Sequence, residues 1–179
     1  MQEKLKKIKE YSLSNDDINA ILEPDTKILT YPEFGNMTHI DQAFDQLGRC
    51  IFLFLTEGPN VGHWITMFKR PNMKSIEYFD SYGGKPEAQR DWLSEEELEQ
   101  LGEGEQYLWN LLKSSGYRVF YNTHAYQSNK KDINTCGRWA VARLICKDID
   151  NKAFYNLVKS SKMPPDDWVA LFTYDILGK

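Results

Sequence analysis

The sequence predicts an α+β domain in which helices pack on a mixed β-sheet. Apolar and β-branched runs gather in the middle of the chain, and amphipathic runs fill its last third. Strands and helices that are partly segregated in this way are typical of the α+β class. The 179 residues suit one domain, 1–179. We divide it into an N-terminal extension for substrate recognition (1–48), a core (49–147) and C-terminal helices (148–179).

The composition disfavours several classes of protein. The chain is 41% hydrophobic and 27% charged, as in globular proteins. Its net charge of −4 disfavours a dedicated nucleic-acid binder, and we interpret the basic cluster at residues 4–9 as a solvated helix face. Apolar runs stay well short of the ~18 residues of a membrane span, and the first residues do not resemble a signal peptide. We therefore expect an intracellular protein without membrane contact, and a monomer.

The three cysteines are odd in number and sparse, which indicates a reducing compartment rather than a disulfide framework. They also lack the paired spacing of a zinc site. The sequence therefore predicts neither a metal nor a cofactor.

The N-terminal elements are predicted from local signals. Ser14 and Asp17 fit the start of a helix that ends before Pro24. Residues 23–37 contain proline and glycine and predict an irregular surface segment. Residues 39–47 predict a short helix, because their apolar positions recur at helical spacing.

The middle of the chain predicts strands. Residues 50–55 are continuously apolar, as in a strand covered on both faces. Residues 63–69 and 75–82 mix β-branched and aromatic with polar residues, and 117–123 form a third run of this kind.

Helices are predicted for four further segments, namely 94–114, 137–147, 153–160 and 166–177. Ser94 and Glu97 fit a capping box at the first start, and Gly102 and Gly104 should break that segment in two.

His63 and Asp80 form the first candidate pair. A hairpin turning at Pro71 and Asn72 would place them directly opposite each other, with Cβ atoms ~5 Å apart. A carboxylate at that distance fixes the tautomer of the imidazole and stabilises its protonated form, as a general base requires. A loop with an odd number of residues would put the two on opposite faces.

Cys136 is the candidate nucleophile, at the point where a polar loop gives way to a helix. Free N–H groups at a helix start favour thiolate over thiol. Cys50 and Cys146 fit the alternative of a buried, inert cysteine.

Gln127 lies in the polar loop before Cys136. Its amide, together with the backbone N–H of Cys136, could donate to an oxyanion. His124 is a competing base nearer in sequence, but nothing local pairs it with a carboxylate.

These motifs together resemble a known family. His63-Trp64, Asp80, Gln127 and Cys136-Gly137 occur in the order found in the clan CE cysteine peptidases. That family includes the adenovirus maturation protease (adenain) and the ubiquitin-like-protein proteases that process and remove SUMO. The match spans residues 49–147, and the compact chain resembles members from large DNA viruses.

The resemblance implies a role for each residue. Cys136 would be the nucleophile, His63 the general base and Asp80 its orienting group. Gln127 and the backbone of Cys136 would form the oxyanion hole. Trp64 would roof a narrow groove that admits Gly-Gly or other small residues before the cleaved bond.

The resemblance also has departures. The loop from Gln127 to Cys136 is longer than is usual in the family, and Thr135 stands where many members have an acidic residue.

The sequence thus predicts a thiol endopeptidase that acts on viral structural precursors or on ubiquitin-like C-termini. An acetyltransferase with the same triad is an alternative, although no additional basic patch for a phosphate-bearing donor is evident. A non-catalytic module that binds ubiquitin-like proteins is another.

Overall fold

A computed structural model describes residues 2–22 and 25–178. Seven helices are present there: α1 Gln2–Glu10, α2 Asn15–Ile21, α3 Glu95–Gln100, α4 Tyr107–Ser114, α5 Cys136–Ile145, α6 Asn151–Ser160 and α7 Pro165–Leu177. Five strands form one sheet: β1 Lys27–Thr30, β2 Arg49–Gly58, β3 Val61–Arg70, β4 Ser75–Phe79 and β5 Arg118–Tyr121. Short 3-10 segments cover Tyr31–Asn36, Ile40–Ala43, Pro71–Met73 and Ala88–Trp92.

The sheet is mixed, and its strand order follows the chain from β1 to β5. The three central strands pair antiparallel, while β1 and β5 pair parallel to their neighbours at the two edges. This confirms the predicted α+β class with a mixed sheet packed by helices.

The two faces of the sheet bury different cores, because successive side chains of a strand point to opposite faces. One face packs on the 3-10 segment Tyr31–Asn36 and on α4. The other face packs on α5, which is the central helix of the fold, and on α2. Strand β2 is buried on both faces from Arg49 to Leu55, as predicted for its apolar run.

A buried ionic cluster fastens α5 to the sheet. Glu77 of β4 accepts hydrogen bonds from Arg143 of α5 at 2.5 Å and from Arg70 of β3 at 2.7 Å. Both guanidinium groups also donate to the carbonyl of Ile149 at 2.8 Å. The last turn of α5 is thereby fastened to β3 and β4.

The predicted hairpin register is wrong by two residues. Arg70 pairs with Ser75, and Phe68 pairs with Glu77. The turn contains four residues because Pro71–Met73 form a 3-10 turn that ends at Lys74 in the left-handed region, with φ of 46°. A four-residue loop preserves the parity of the pairing, so His63 and Asp80 remain on the same face as diagonal neighbours rather than direct partners.

The interpretation of residues 23–37 as an irregular surface segment is wrong. Residues 27–30 form β1, and Leu29, Tyr31 and Phe34 are buried in the core. The helix predicted to start at Ser14 is α2, which ends at Ile21. Residues 23 and 24 lie outside the described residues, and they include the Pro24 that was expected to follow this helix.

Two helical faces also differ from prediction. The expected helix at 39–47 is only a 3-10 turn over Ile40–Ala43, and Leu47 is 57% exposed. In α5, the apolar Ile145 is exposed, at 40%. Within residues 2–22 and 25–178, no helix is long and apolar enough to cross a membrane.

Candidate active site

Cys136 is the first residue of α5, and contacts from both ends of the chain fix its position. Thr135 at the N-cap is fully buried, and its hydroxyl donates to Asp166 of α7 at 2.6 Å. Asn134 donates from its backbone and side chain to the carbonyls of Lys9 and Glu10 at the end of α1, at 2.8 Å each. The loop that carries Cys136 is therefore anchored between α1 and α7.

His63 and Asp80 are joined by a hydrogen bond of 2.7 Å between Nε2 and Oδ1. Both side chains are buried, at 5% and 1% exposure. His63 is near the start of β3, and Asp80 follows the last residue of β4 directly. Because Nε2 is engaged by Asp80, Nδ1 is the ring nitrogen left to face Cys136, whose thiol is close enough to His63 for the imidazole to lower its pKa.

The carboxylate of Asp80 is held by further donors. The backbone N–H of Tyr82 donates to Oδ1 at 2.8 Å, and the Gln89 amide donates to Oδ2. Gln89 in turn accepts from the hydroxyl of Tyr78 at 3.1 Å. The Asn122 amide brackets the backbone of Asp80 with two more hydrogen bonds, at 3.1 and 2.7 Å.

The electrostatics of the site favour a thiolate–imidazolium pair. Burial alone would raise the pKa of Cys136, but the hydrogen bond and charge of His63 lower it, as do the backbone N–H groups of Trp64 and Gly137. Burial alone would lower the pKa of His63, yet Asp80 and Cys136 raise it well above its ordinary value. The other two thiols differ, because burial raises the pKa of both Cys50 and Cys146.

A groove of about 410 Å³ opens beside Cys136 on the side of Trp64. Its other walls come from residues 12–16, Leu53 and residues 60–62. The Trp64 indole donates to the Leu13 carbonyl at 3.0 Å and is only 6% exposed. A Cβ on Gly137 would lie 3.0 Å from that indole, so glycine permits the helix start to approach it closely. Trp64 thus lines the groove as part of its wall.

Gln127 is buried in the segment that leads to α5. Its side-chain oxygen accepts from the Ser81 hydroxyl at 2.7 Å, and its Nε2 donates to the Ile133 carbonyl at 3.2 Å. Since an amide NH₂ has two N–H donors, the second can serve another acceptor. Ser81 immediately follows Asp80, so Gln127 is tied to the same corner of the sheet.

The competing base His124 takes no part in this cluster. Its ring packs on Tyr126 and Tyr155 at centroid distances of 5.1 and 4.5 Å, facing α6. The described structure thus joins Cys136, His63 and Asp80 and leaves His124 elsewhere.

Sequence reasoning missed several supporting residues. Gln89 and Asn122 contact Asp80 from 9 and 42 positions away, and Asp166 contacts Thr135, the neighbour of Cys136, from 31 positions away. A lone polar residue of this kind has no local spacing pattern. The Asp166-Asp167 pair at the start of the last predicted helix is visible in the sequence, but it indicates only that a helix begins there.

Fold and site together define an α+β protein with a partly exposed cysteine at the start of its central helix, beside a buried histidine–aspartate pair. No family model matches the chain. It is 35% identical over 173 residues to protein V9 of the Sputnik virophage, an alignment that covers 94% of this chain and 98% of that protein. The chain belongs to the same protein family as V9, which agrees with the expected viral membership.

Two solved structures are similar to the chain at low identity. The ASFV pS273R protease is 16% identical with a TM-score of 0.49, over 92% of this chain and 67% of that one. The Ulp1 protease domain, solved in complex with Smt3, the yeast ortholog of SUMO, is 14% identical with a TM-score of 0.43, over 98% and 81%.

Proposed function

We propose that the chain is a cysteine endopeptidase that cleaves after small residues. The observation that carries the proposal is the continuous array from Cys136 through His63 to Asp80, in which the pKa of the thiol is lowered and that of the imidazole is raised. A thiolate beside an imidazolium that is oriented by a carboxylate is the arrangement that nucleophilic acyl transfer needs.

The reaction has two halves. The Cys136 thiolate adds to the substrate carbonyl, the carbon–nitrogen bond then breaks, and its electron pair stays on nitrogen, which takes the proton from Nδ1 of His63. This leaves a thioester on Cys136 and a neutral imidazole. Water then gives a proton to that imidazole as its oxygen attacks the thioester, and the released thiolate restores the starting ion pair.

Two donors are proposed for the oxyanion. One is the backbone N–H of Cys136, which belongs to the first turn of α5 and is not used by an intrahelical bond. The other is the second N–H of Gln127, whose side chain is already fixed by Ser81 and Ile133. Donors held in place before the reaction stabilise the developing charge without reorganisation.

The groove beside Trp64 is proposed to hold the residues before the cleaved bond. Trp64 is anchored to Leu13 and Gly137, so the wall next to Cys136 cannot retreat from a branched side chain. Residues 12–16 form the opposite wall, which gives the N-terminal region a part in substrate recognition. With the family resemblance of the motifs, this supports Gly-Gly-type substrates in viral precursors or ubiquitin-like tails, within the infected cell or virion.

Probes that end in an electrophile test this proposal. Ubiquitin and SUMO probes, and a Gly-Gly peptide probe, are compared on the wild type, on Cys136→Ala and on the matched control Cys146→Ala. We expect labelling of the wild type and of Cys146→Ala, and none of Cys136→Ala. A protein that reacts with no probe and cleaves no Gly-Gly-X peptide would not be this peptidase, and acetyl transfer from acetyl-CoA would then support the acyltransferase alternative.

Replacement of the groove wall tests the preference for small residues. Trp64→Ala should reduce the difference in cleavage rate between Gly-Gly-X and Ala-Leu-X peptides, because the wider groove admits larger side chains. It should also lower the rate itself, because a loosely held substrate is positioned less accurately. Equal cleavage of the two peptides by the wild type would contradict the narrow-groove model, even with Cys136 catalytic.

A further inference from the structure

A second groove is formed in part by residues that contact His63. It has a volume of about 410 Å³ and is lined by Tyr82, Trp92 and Asn129. Neither Trp64 nor residues 12–16 contribute to it, so it is separate from the groove described above.

The walls of this groove are the two aromatic rings that hold the imidazole. Tyr82 stacks on His63 with centroids 4.9 Å apart and planes 23° apart. Trp92 meets the same ring edge to face at 5.3 Å and meets Tyr82 at 5.8 Å. The His63 ring is therefore enclosed by the same residues that form the second groove.

Trp92 is exposed although its position is fixed. The side chain is 47% exposed, yet its ring packs on Phe54 at 6.4 Å as well as on His63. The 3-10 segment that ends with Trp92 is held by Arg90, which donates to the carbonyls of residues 103–105. A rigid, half-exposed indole beside a reactive centre is a surface suited to binding an apolar group.

The chemistry of bond cleavage determines which part of the substrate must lie beside His63. When the carbon–nitrogen bond breaks, the leaving nitrogen takes the electron pair of that bond and the proton from Nδ1 of His63, and the acyl group stays on Cys136 as a thioester. The leaving amine must therefore be within hydrogen-bond reach of His63. Cys136 itself lines the Trp64 groove, whereas the second groove is walled by Tyr82 and Trp92, the two rings that contact His63.

We infer that the groove formed by Tyr82, Trp92 and Asn129 binds the peptide that follows the cleaved bond and prefers an aliphatic or aromatic side chain at its first residue. This deepens the proposed function and rests on it. The two rings offer apolar faces to the side chain, and the exposed Asn129 amide offers a donor and an acceptor to the peptide backbone. The groove thus adds a selectivity that is independent of the small residues before the bond.

Competition between amines for the acyl-enzyme tests the inference. A Gly-Gly thioester substrate acylates Cys136, and leucinamide and glycinamide then compete to accept the acyl group, each entering by the route of the leaving amine. We expect leucinamide to be favoured by at least about tenfold, the discrimination that an apolar pocket provides. Trp92→Ala should bring the ratio close to one, and Trp92→Phe should retain part of the preference.

The product ratio is measured within one acyl-enzyme, so a variant with a lower overall rate still reports it. Tyr121→Ala is the matched control, because Tyr121 is also an exposed aromatic, at 42%, but belongs to the edge strand β5. An acyl-enzyme that shows no preference for leucinamide, or the same preference in Trp92→Ala, would overturn this inference and leave the peptidase proposal standing. Failure to form any acyl-enzyme would overturn both.

Discussion

At the scale of single residues, the three cysteines show how environment decides reactivity. Cys136 lies at a helix start in contact with His63, Cys50 is buried in β2, and Cys146 lies just beyond the last turn of α5. The effect of His63 on the Cys136 thiol outweighs that of burial and lowers its pKa, while burial outweighs the weaker effects of Arg143 on Cys146 and of Lys27 on Cys50 and raises the pKa of both.

Brief iodoacetamide treatment followed by mass mapping should therefore label Cys136 first. The rate should rise with pH through a midpoint below the ordinary thiol value of about 8.5, because the thiolate is the reacting form. His63→Ala should move this midpoint upward, since burial then dominates the pKa. Cys146 serves as an internal control, and comparable labelling of Cys136 and Cys146 near neutral pH would contradict the nucleophile assignment.

Asp80 and Gln89 should differ in the size of their effect on turnover. Asp80→Asn should lower turnover by roughly 10²–10⁴, by analogy with loss of the orienting carboxylate in serine proteases. It should also lower the pKa of His63, so the basic limb of the pH–rate profile should move to lower pH.

Gln89→Leu removes one donor to Asp80 and the acceptor for Tyr78 but leaves the carboxylate in place. We expect a smaller loss of turnover, up to about 10², with a basic limb that moves less than in Asp80→Asn. A stability change without any change in the pH profile would show that Gln89 has only a structural role.

At the scale of elements, the start of α5 depends on α7. Asp166 accepts hydrogen bonds from the Thr135 hydroxyl at 2.6 Å and from the backbone of Ser128 at 2.9 Å. It therefore ties both ends of the loop that carries Cys136 to one carboxylate.

Asp166→Ala should lower the free energy of unfolding by about 1–3 kcal/mol, because the Thr135 hydroxyl, the Ser128 N–H and the Trp139 indole N–H all lose their acceptor. It should also slow alkylation of Cys136, since the helix start loses its anchor. The neighbouring Asp167 is the control, because its ion pair with Lys9 is more exposed than the hydrogen bonds of Asp166. Asp167→Ala should therefore lower the free energy of unfolding, measured in urea, by less than about 1 kcal/mol. Equal costs for the two variants would refute the anchoring role.

Elements determined by residues close to one another in the sequence were predictable. Elements that depend on residues far away in the sequence were not. The capping boxes at Ser14 and Ser94 and the break between α3 and α4 involve signals only a few residues apart. Strand β1 was missed because its partner β2 is about twenty residues away and its own four residues carry no alternation. The β3–β4 register shifted because the left-handed Lys74 lengthens the turn.

At the scale of the whole molecule, the site is assembled from segments that span most of the chain. The array draws on the start of β3 and the residue after β4, and its loop is contacted by the end of α1 and the start of α7. The order His63, Asp80, Gln127, Cys136 was predictable because it resembles a family pattern. The second groove was not, because Tyr82, Trp92 and Asn129 meet only through tertiary structure.

Stability of the whole fold should carry a pH dependence from Glu103. This carboxyl is fully buried between the loop before α4 and β2, where it accepts the backbone N–H of Leu55 at 2.8 Å. Burial raises its pKa to about 7, against partial compensation by that hydrogen bond and by Arg90. A carboxyl group with a raised pKa in the folded state binds its proton more tightly when the chain is folded. Its contribution to the free energy of unfolding is therefore largest below about pH 4.5 and is lost as the pH rises to about 7.

Glu103→Gln should therefore gain stability relative to the wild type as pH rises from about 4.5 to about 7, by at most roughly 3 kcal/mol, and the difference should level off above that range. The Gln oxygen can still accept from Leu55, but it never becomes charged. Comparing the two proteins by urea unfolding at each pH cancels the titration of carboxyls that both share. The exposed Glu105→Gln controls for the loss of one negative charge and should show a flat difference. A flat difference for Glu103→Gln as well would mean that the buried carboxyl titrates alike in the folded and unfolded chains.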